Sequence, residues 1–148
     1  MADPKVPAER PKIFDSNGFD SRPLSPHLQI YRWPITMTMS ILHRVTGAAL
    51  YMGTLLLAWW LLAAATSSQA FGWVQWFIGT PIGLLILFGY TWALMHHMLG
   101  GIRHFIWDLG HGLGPGDRDR LARANLIGSI ILTLLIWILG YWALGGTN

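Results

Sequence analysis

Residues 45–102 read VTGAALYMGTLLLAWWLLAAATSSQAFGWVQWFIGTPIGLLILFGYTWALMHHMLGGI, a stretch without a single Asp, Glu, Lys or Arg. A water-facing fold cannot tolerate so long an uncharged run. The whole chain agrees: 53% of its 148 residues are hydrophobic and only 11% are charged, against about 25% in a soluble domain. Too little polar surface is left to cover a globule in water, so lipid must solvate much of the molecule. Nine Trp residues fit this reading, because indoles favour the interface where an apolar body meets a wet N–H. The chain has no cysteine, which excludes disulfides, thiolate metal sites and iron–sulfur clusters built from it alone. Its formal charge of +3 comes from few basic residues divided between two flanks, a distribution that matches membrane topology and not nucleic-acid binding.

The expected fold is an all-α membrane protein with three transmembrane helices and a polar N-terminal arm. The arm, residues 1–32, is rich in proline (Pro4, Pro7, Pro11, Pro23, Pro26) and cannot bury a core of its own. It lacks the apolar segment of a secretory signal, and its acidic residues do not suit an organelle transit peptide, so a bacterial protein without a cleaved address is expected. Residues 33–148 form the anchor domain, with spans at about 36–65, 80–104 and 124–144. Each contains enough apolar residues for a bilayer core of about 30 Å, which needs roughly 20 in a helix. Pro81 is expected in the first turn of the second helix, and residues 66–80 are read as a loop. Lys5, Arg10, Lys12, Arg22 and Arg32 precede the first span, and Arg103, Arg118, Arg120 and Arg123 separate the second from the third. The positive-inside rule then places the N-terminus and that second connection in the cytoplasm.

Two polar stripes interrupt the apolar runs. Ser40, His43, Arg44 and Gly47 follow the spacing i, i+3, i+4, i+7, one face of a helix. Arg44 alone could snorkel to phosphate headgroups. Taken together, however, a hydroxyl, an imidazole and a five-donor fork suit a ligand with carbonyl oxygens or the carboxylates of a cofactor. His97, Gly100, Gly101 and His104 repeat the spacing, with the two histidines roughly 10 Å apart along the axis. An imidazole at this depth is costly unless it is bonded, ligated or facing a cavity. For His97 three roles stay open: an interhelical hydrogen bond, a proton relay, or a haem axial ligand. If it ligates haem, His96 points about 100° away and cannot serve the same iron. His43 is expected nearer the cytoplasmic end than His97, so a six-coordinate haem would take its other ligand from a partner subunit. His104 is expected to face solvent or headgroups, and Met95 and Met98 to face lipid or packing neighbours.

Three segments resemble the cytochrome b556 membrane-anchor subunits of succinate dehydrogenase, respiratory complex II. They are Arg22-Pro23-Leu24-Ser25-Pro26-His27-Leu28-Gln29-Ile30-Tyr31, Ser40-Ile41-Leu42-His43-Arg44-Val45-Thr46-Gly47, and His97 through Asp108 (HMLGGIRHFIWD). Their order and spacing match over about residues 22–144. The resemblance implies that His97 is the axial ligand of haem b, with the opposite histidine on a second membrane anchor subunit. It places His43 and Arg44 near the haem propionates, makes Ser40 and Arg44 part of a ubiquinone site, and sets Asp108 near that pocket. An FAD-containing flavoprotein subunit that oxidises succinate and an iron–sulfur subunit that passes the electrons on are the implied partners. Both would sit on the cytoplasmic side of a bacterial inner membrane. The chain would thus be a non-catalytic subunit of an oxidoreductase, in contact with membrane lipid and not with nucleic acid. Two other readings are an anchor for a haem b quinol:fumarate reductase and a haem-free structural or transport subunit whose histidines only join helices.

Overall fold

The computed structural model describes residues 32–145, which form four α-helices: α1 (Ile35–Thr66), α2 (Ser68–Gly79), α3 (Pro81–Asp108) and α4 (Pro115–Gly145). The polar arm expected over residues 1–32 and the motif at residues 22–31 lie outside these residues, apart from Arg32. Three of the helices, α1, α3 and most of α4, are long and apolar enough to cross a membrane. The three-span, all-helical fold expected from the sequence is the one observed.

The helix ends follow from local chemistry. Pro34 precedes α1 in an extended conformation (φ −64°, ψ 147°), and its carbonyl accepts from the N–H groups of Met37 and Thr38. Ser67, also extended, does double duty. Its N–H closes α1 on the Ala63 carbonyl, and its hydroxyl accepts from the Ala70 N–H at 3.1 Å to start α2. Thr80 repeats the device for α3, accepting from the Gly83 N–H at 3.1 Å, with Pro81 in the first turn where its missing N–H costs nothing. Gly110 and Gly112, at φ +77° and +68°, then turn the chain into α4, a left-handed conformation that only glycine adopts readily.

The segment expected as a loop between the first two spans is instead the 12-residue helix α2. Its sequence SQAFGWVQWFIG lacks both charge and proline, so nothing stops a helix once Ser67 has capped it. Val74 is its buried contact, while Phe71 and Phe77 meet the rings of Trp60 and Trp59 on α1. Trp73 and Trp76 stay exposed, as indoles at a membrane interface do.

α3 packs against both α4 and α1. The buried apolar side chains are few and mostly small: Met39, Ala63, Val74, Ala93 and Ala122. Thr46, His96, Arg103, Asn125, Ser129 and Thr133 are buried beside them, while Leu, Ile and Trp side chains crowd the exterior. This inversion is what lipid selects. Hydrocarbon gives no drive to hide leucine, so close contact and polar bonds hold the helices together. Hydroxyls in the spans are satisfied inside their own helix: buried Thr46 and Thr133 and half-buried Thr91 donate to the carbonyls of Leu42, Ser129 and Leu87 at 2.7–2.8 Å.

Near the α2 end, α1 and α3 approach closely at Gly53, where a Cβ would overlap the Tyr90 ring. An apolar cavity of about 350 Å³ opens beside it, lined by Gly53, Leu56, Trp60, Ile78, Leu87 and Tyr90. Gly53→Val should force α1 and α3 apart and cost about 1–3 kcal/mol. A thermal melt of the purified protein in detergent should show the loss, and Tyr90→Ala in the same chain should recover most of it.

Candidate functional site

The seam between α1 and α3 brings most of the two polar stripes together. Gly47 has no side chain, and the His97 ring fills that space; a Cβ there would lie 3.0 Å from its Cε1. One turn along, the His43 ring lies against Gly100 in the same way. The two imidazoles therefore stack, with centroids 4.0 Å apart and planes 7° from parallel. His104 completes the group, its ring 5.5 Å from that of His43 and edge-on to Trp107. The placement of His43 differs from the sequence expectation, which set it too near the helix start to reach the level of His97. The antiparallel helices cross with paired glycines at the contact, so residues early in α1 meet residues late in α3 at one depth.

The hydrogen bonding of His97 fixes its chemistry. Its Nδ1 lies 3.1 Å from the His43 backbone carbonyl. A carbonyl oxygen can only accept, so Nδ1 carries the proton, and the neutral ring presents Nε2 as its basic nitrogen. Nε2 has no hydrogen-bond partner among the described residues. The same His43 carbonyl also accepts from the Thr46 hydroxyl at 3.0 Å, a proton Thr46 shares with the Leu42 carbonyl at 2.8 Å, so its two lone pairs serve one donor from α1 and one from α3.

His96, the adjacent residue, faces the other way. It is fully buried at 0% exposure against α4, with Trp92 tilted beside it at 5.3 Å. Asn125 Nδ2 lies 3.4 Å from each of its ring nitrogens, and Ser129 Oγ lies 3.5 Å from its Nδ1. The Ser129 hydroxyl donates to the Leu126 carbonyl at 2.8 Å. Its oxygen therefore accepts from His96 Nδ1, leaving Nε2 to accept from Asn125. Sequence reasoning left Asn125, Ser129 and Thr133 unnoticed, although they recur at every fourth residue of an otherwise apolar run, a helical stripe like the other two.

Two turns from His96, Arg103 is also buried, its guanidinium 5.0 Å from the Trp107 ring centre. Its Nε and Nη1 have no partner among the described residues. The sequence places Arg103 among the positive charges that mark topology and within the motif of residues 97–108, and neither reading foretells its burial.

Ser40 and Arg44 are not drawn into the seam. Both are exposed on α1 beside His43, with no hydrogen bond to the histidine rings. A hydroxyl and a guanidinium fork thus stand open at the edge of a histidine cluster. Asp108 is exposed at the last turn of α3. Among the described residues, no group of three or more His, Cys, Asp or Glu side chains is placed to hold a bare metal ion.

Comparison with known proteins covers nearly all of this architecture. Residues 20–143 match the family described as Succinate dehydrogenase/Fumarate reductase transmembrane subunit. The succinate dehydrogenase cytochrome b556 subunit of Paracoccus denitrificans is 44% identical over 118 residues, covering 80% of this chain and 91% of that protein. The corresponding subunit of Rickettsia felis is 37% identical over 81% of this chain and 94% of its own length. The mitochondrial succinate dehydrogenase cytochrome b560 subunit of Sus scrofa is 42% identical over 86% of this chain and 74% of that protein. With three apolar spanning helices and a match over this length, the chain belongs to the family of succinate dehydrogenase/fumarate reductase transmembrane subunits.

Proposed function

We propose that this chain is the haem b-binding membrane anchor of a succinate:quinone oxidoreductase and forms part of its ubiquinone-reduction site. The observation that carries this reading is the state of His97: Nδ1 is tied to a backbone carbonyl, and Nε2, within a span, has no hydrogen-bond partner among the described residues. Metal-ligating histidines characteristically donate their other ring N–H in this way, which fixes the tautomer and raises the basicity of the ligating nitrogen. The donor set thus fits a haem held by one histidine of this chain. The opposite ligand comes from a second membrane anchor subunit, since His96 is engaged on α4 and the His43 ring lies stacked on His97. His43, stacked on His97, and Arg44, next to it on α1, would take the haem propionates. The names of the relatives favour succinate oxidation over fumarate reduction as the partner reaction.

Haem, when bound, accepts and returns single electrons. The residues of this chain do the rest. Reducing a quinone consumes two electrons and two protons, so the site needs donors that hold its carbonyl oxygens within reach of water. Ser40 and Arg44, exposed on one stretch of α1, supply a hydroxyl donor and a planar fork of N–H groups. The fixed positive charge of Arg44 offsets the negative charge that grows on the ring as electrons arrive. In this arrangement the N-terminus and the α3–α4 connection face the cytoplasm of a bacterial inner membrane. The FAD-containing flavoprotein and the iron–sulfur subunit dock there.

Two variants of the intact complex test the assignments. His97→Ala should abolish the haem b bands in the dithionite-reduced minus oxidised spectrum, and undiminished bands would remove His97 as ligand. Arg44→Lys keeps the charge and loses the fork. Losing a charge-assisted bond worth about 1.5–3 kcal/mol should lower quinone-dependent turnover about 10- to 100-fold. Succinate oxidation by a soluble dye should stay at the level of the unaltered complex, and equal quinone kinetics in the two would exclude Arg44 from the site.

A further inference from the structure

His96 and His97 are consecutive, so their side chains leave α3 about 100° apart. Each is held by a different neighbour. α1 holds His97 through the His43 carbonyl and ring, and α4 holds His96 through Asn125 and Ser129. Nothing in the His97 reading requires His96 to be polar. A fully buried imidazole in a membrane span is costly unless its nitrogens are bonded, and an apolar side chain would fill the same space without that demand. What hydrogen bonds add is direction. Apolar contacts between spanning helices allow one helix to roll on another, because lipid is as good a solvent for leucine as a neighbouring helix is. Two bonds to a ring nitrogen pair do not allow this, since a roll of α3 pulls both Nδ1 and Nε2 away from α4. A ligand must be held within about 0.5 Å and 10–20° of its working geometry. The His97 bond to α1 cannot secure this alone, as ring and carbonyl could move together with α1.

We propose that His96 is a positioning residue: seated on Asn125 and Ser129 of α4, it fixes the roll of α3 and so the direction in which His97 presents Nε2 to the haem iron. The proposal rests on the haem reading above. Asn125 and Ser129 act through His96, and none of the three touches the cofactor.

The test uses the purified complex carrying His96→Leu, Asn125→Leu, Ser129→Ala or His96→Gln, each compared with the unaltered complex by electron paramagnetic resonance of the oxidised haem and by haem content. His96→Leu and Asn125→Leu should shift the low-spin haem signal and weaken haem retention by about 10-fold, the low end of losses seen when a ligand's hydrogen-bonding support is removed. Ser129→Ala should do so to a smaller degree. His96→Gln, which keeps a donor and an acceptor, should restore the signal. A purely structural role would lower the yield of complex and leave the haem signal of the assembled fraction unmoved, which would overturn the proposal. If His96→Leu fails to assemble, the two α4 variants decide by the same readouts. Haem that survives His97→Ala overturns the ligand reading. Haem lost in His97→Ala but undisturbed in all the seat variants overturns only the positioning role.

Discussion

The hydrogen bond from His97 Nδ1 to the His43 carbonyl is the contact on which the site depends. Hydrocarbon offers no water to an imidazole, so a ring nitrogen at this depth is costly unless protein or a ligand bonds it. Drawing that bond from a backbone carbonyl requires the two helices to lie unusually close, and Gly47 and Gly100 give up their side chains to allow it. The close approach then brings the two rings face to face at 4.0 Å. The tautomer of His97, the nitrogen it leaves available and the stacking of His43 all follow from one bond across one pair of glycines.

Around this contact the molecule is built with its polar groups inward. Asn125, Ser129, Thr133, His96 and Arg103 are buried, whereas Leu55, Leu62, Leu85 and Tyr141 are widely exposed. The three spanning helices are thus joined by directional bonds at two seams, α1–α3 and α3–α4, with α3 shared by both. α3 serves both seams with consecutive residues, His97 turned to α1 and His96 to α4, because their side chains leave the helix about 100° apart.

Composition and periodicity were enough to read the spans, because charge is so costly in lipid that its absence over residues 45–102 leaves few folds to choose from. The proline at the start of α3 is equally legible, since the first turn of a helix has no use for its missing N–H. What the sequence did not reveal was depth and pairing. His43 was set too shallow because depth was counted along α1 alone, while the level at which it meets α3 depends on where two helices cross. The loop expected over residues 66–80 hides a helix because Ser67 and Thr80, at its two ends, border a loop and cap a short helix equally well. The α4 stripe of Asn125, Ser129 and Thr133 was present in the sequence and went unread, because single polar residues of modest size in an apolar run draw less notice than histidine.

The threonines that bond to their own helices bear on how such a chain is made. Thr46, Thr91 and Thr133 each hand their proton to a carbonyl three or four residues back, so these hydroxyls need no neighbour when a helix first enters the bilayer. A newly inserted span can therefore drift in lipid without an exposed donor seeking the wrong companion. The imidazoles have no such internal outlet. The meeting of α1 with α3 gives His97 Nδ1 its acceptor, and the meeting of α3 with α4 gives His96 its partners. The groups that serve the finished site would thereby also proofread its assembly.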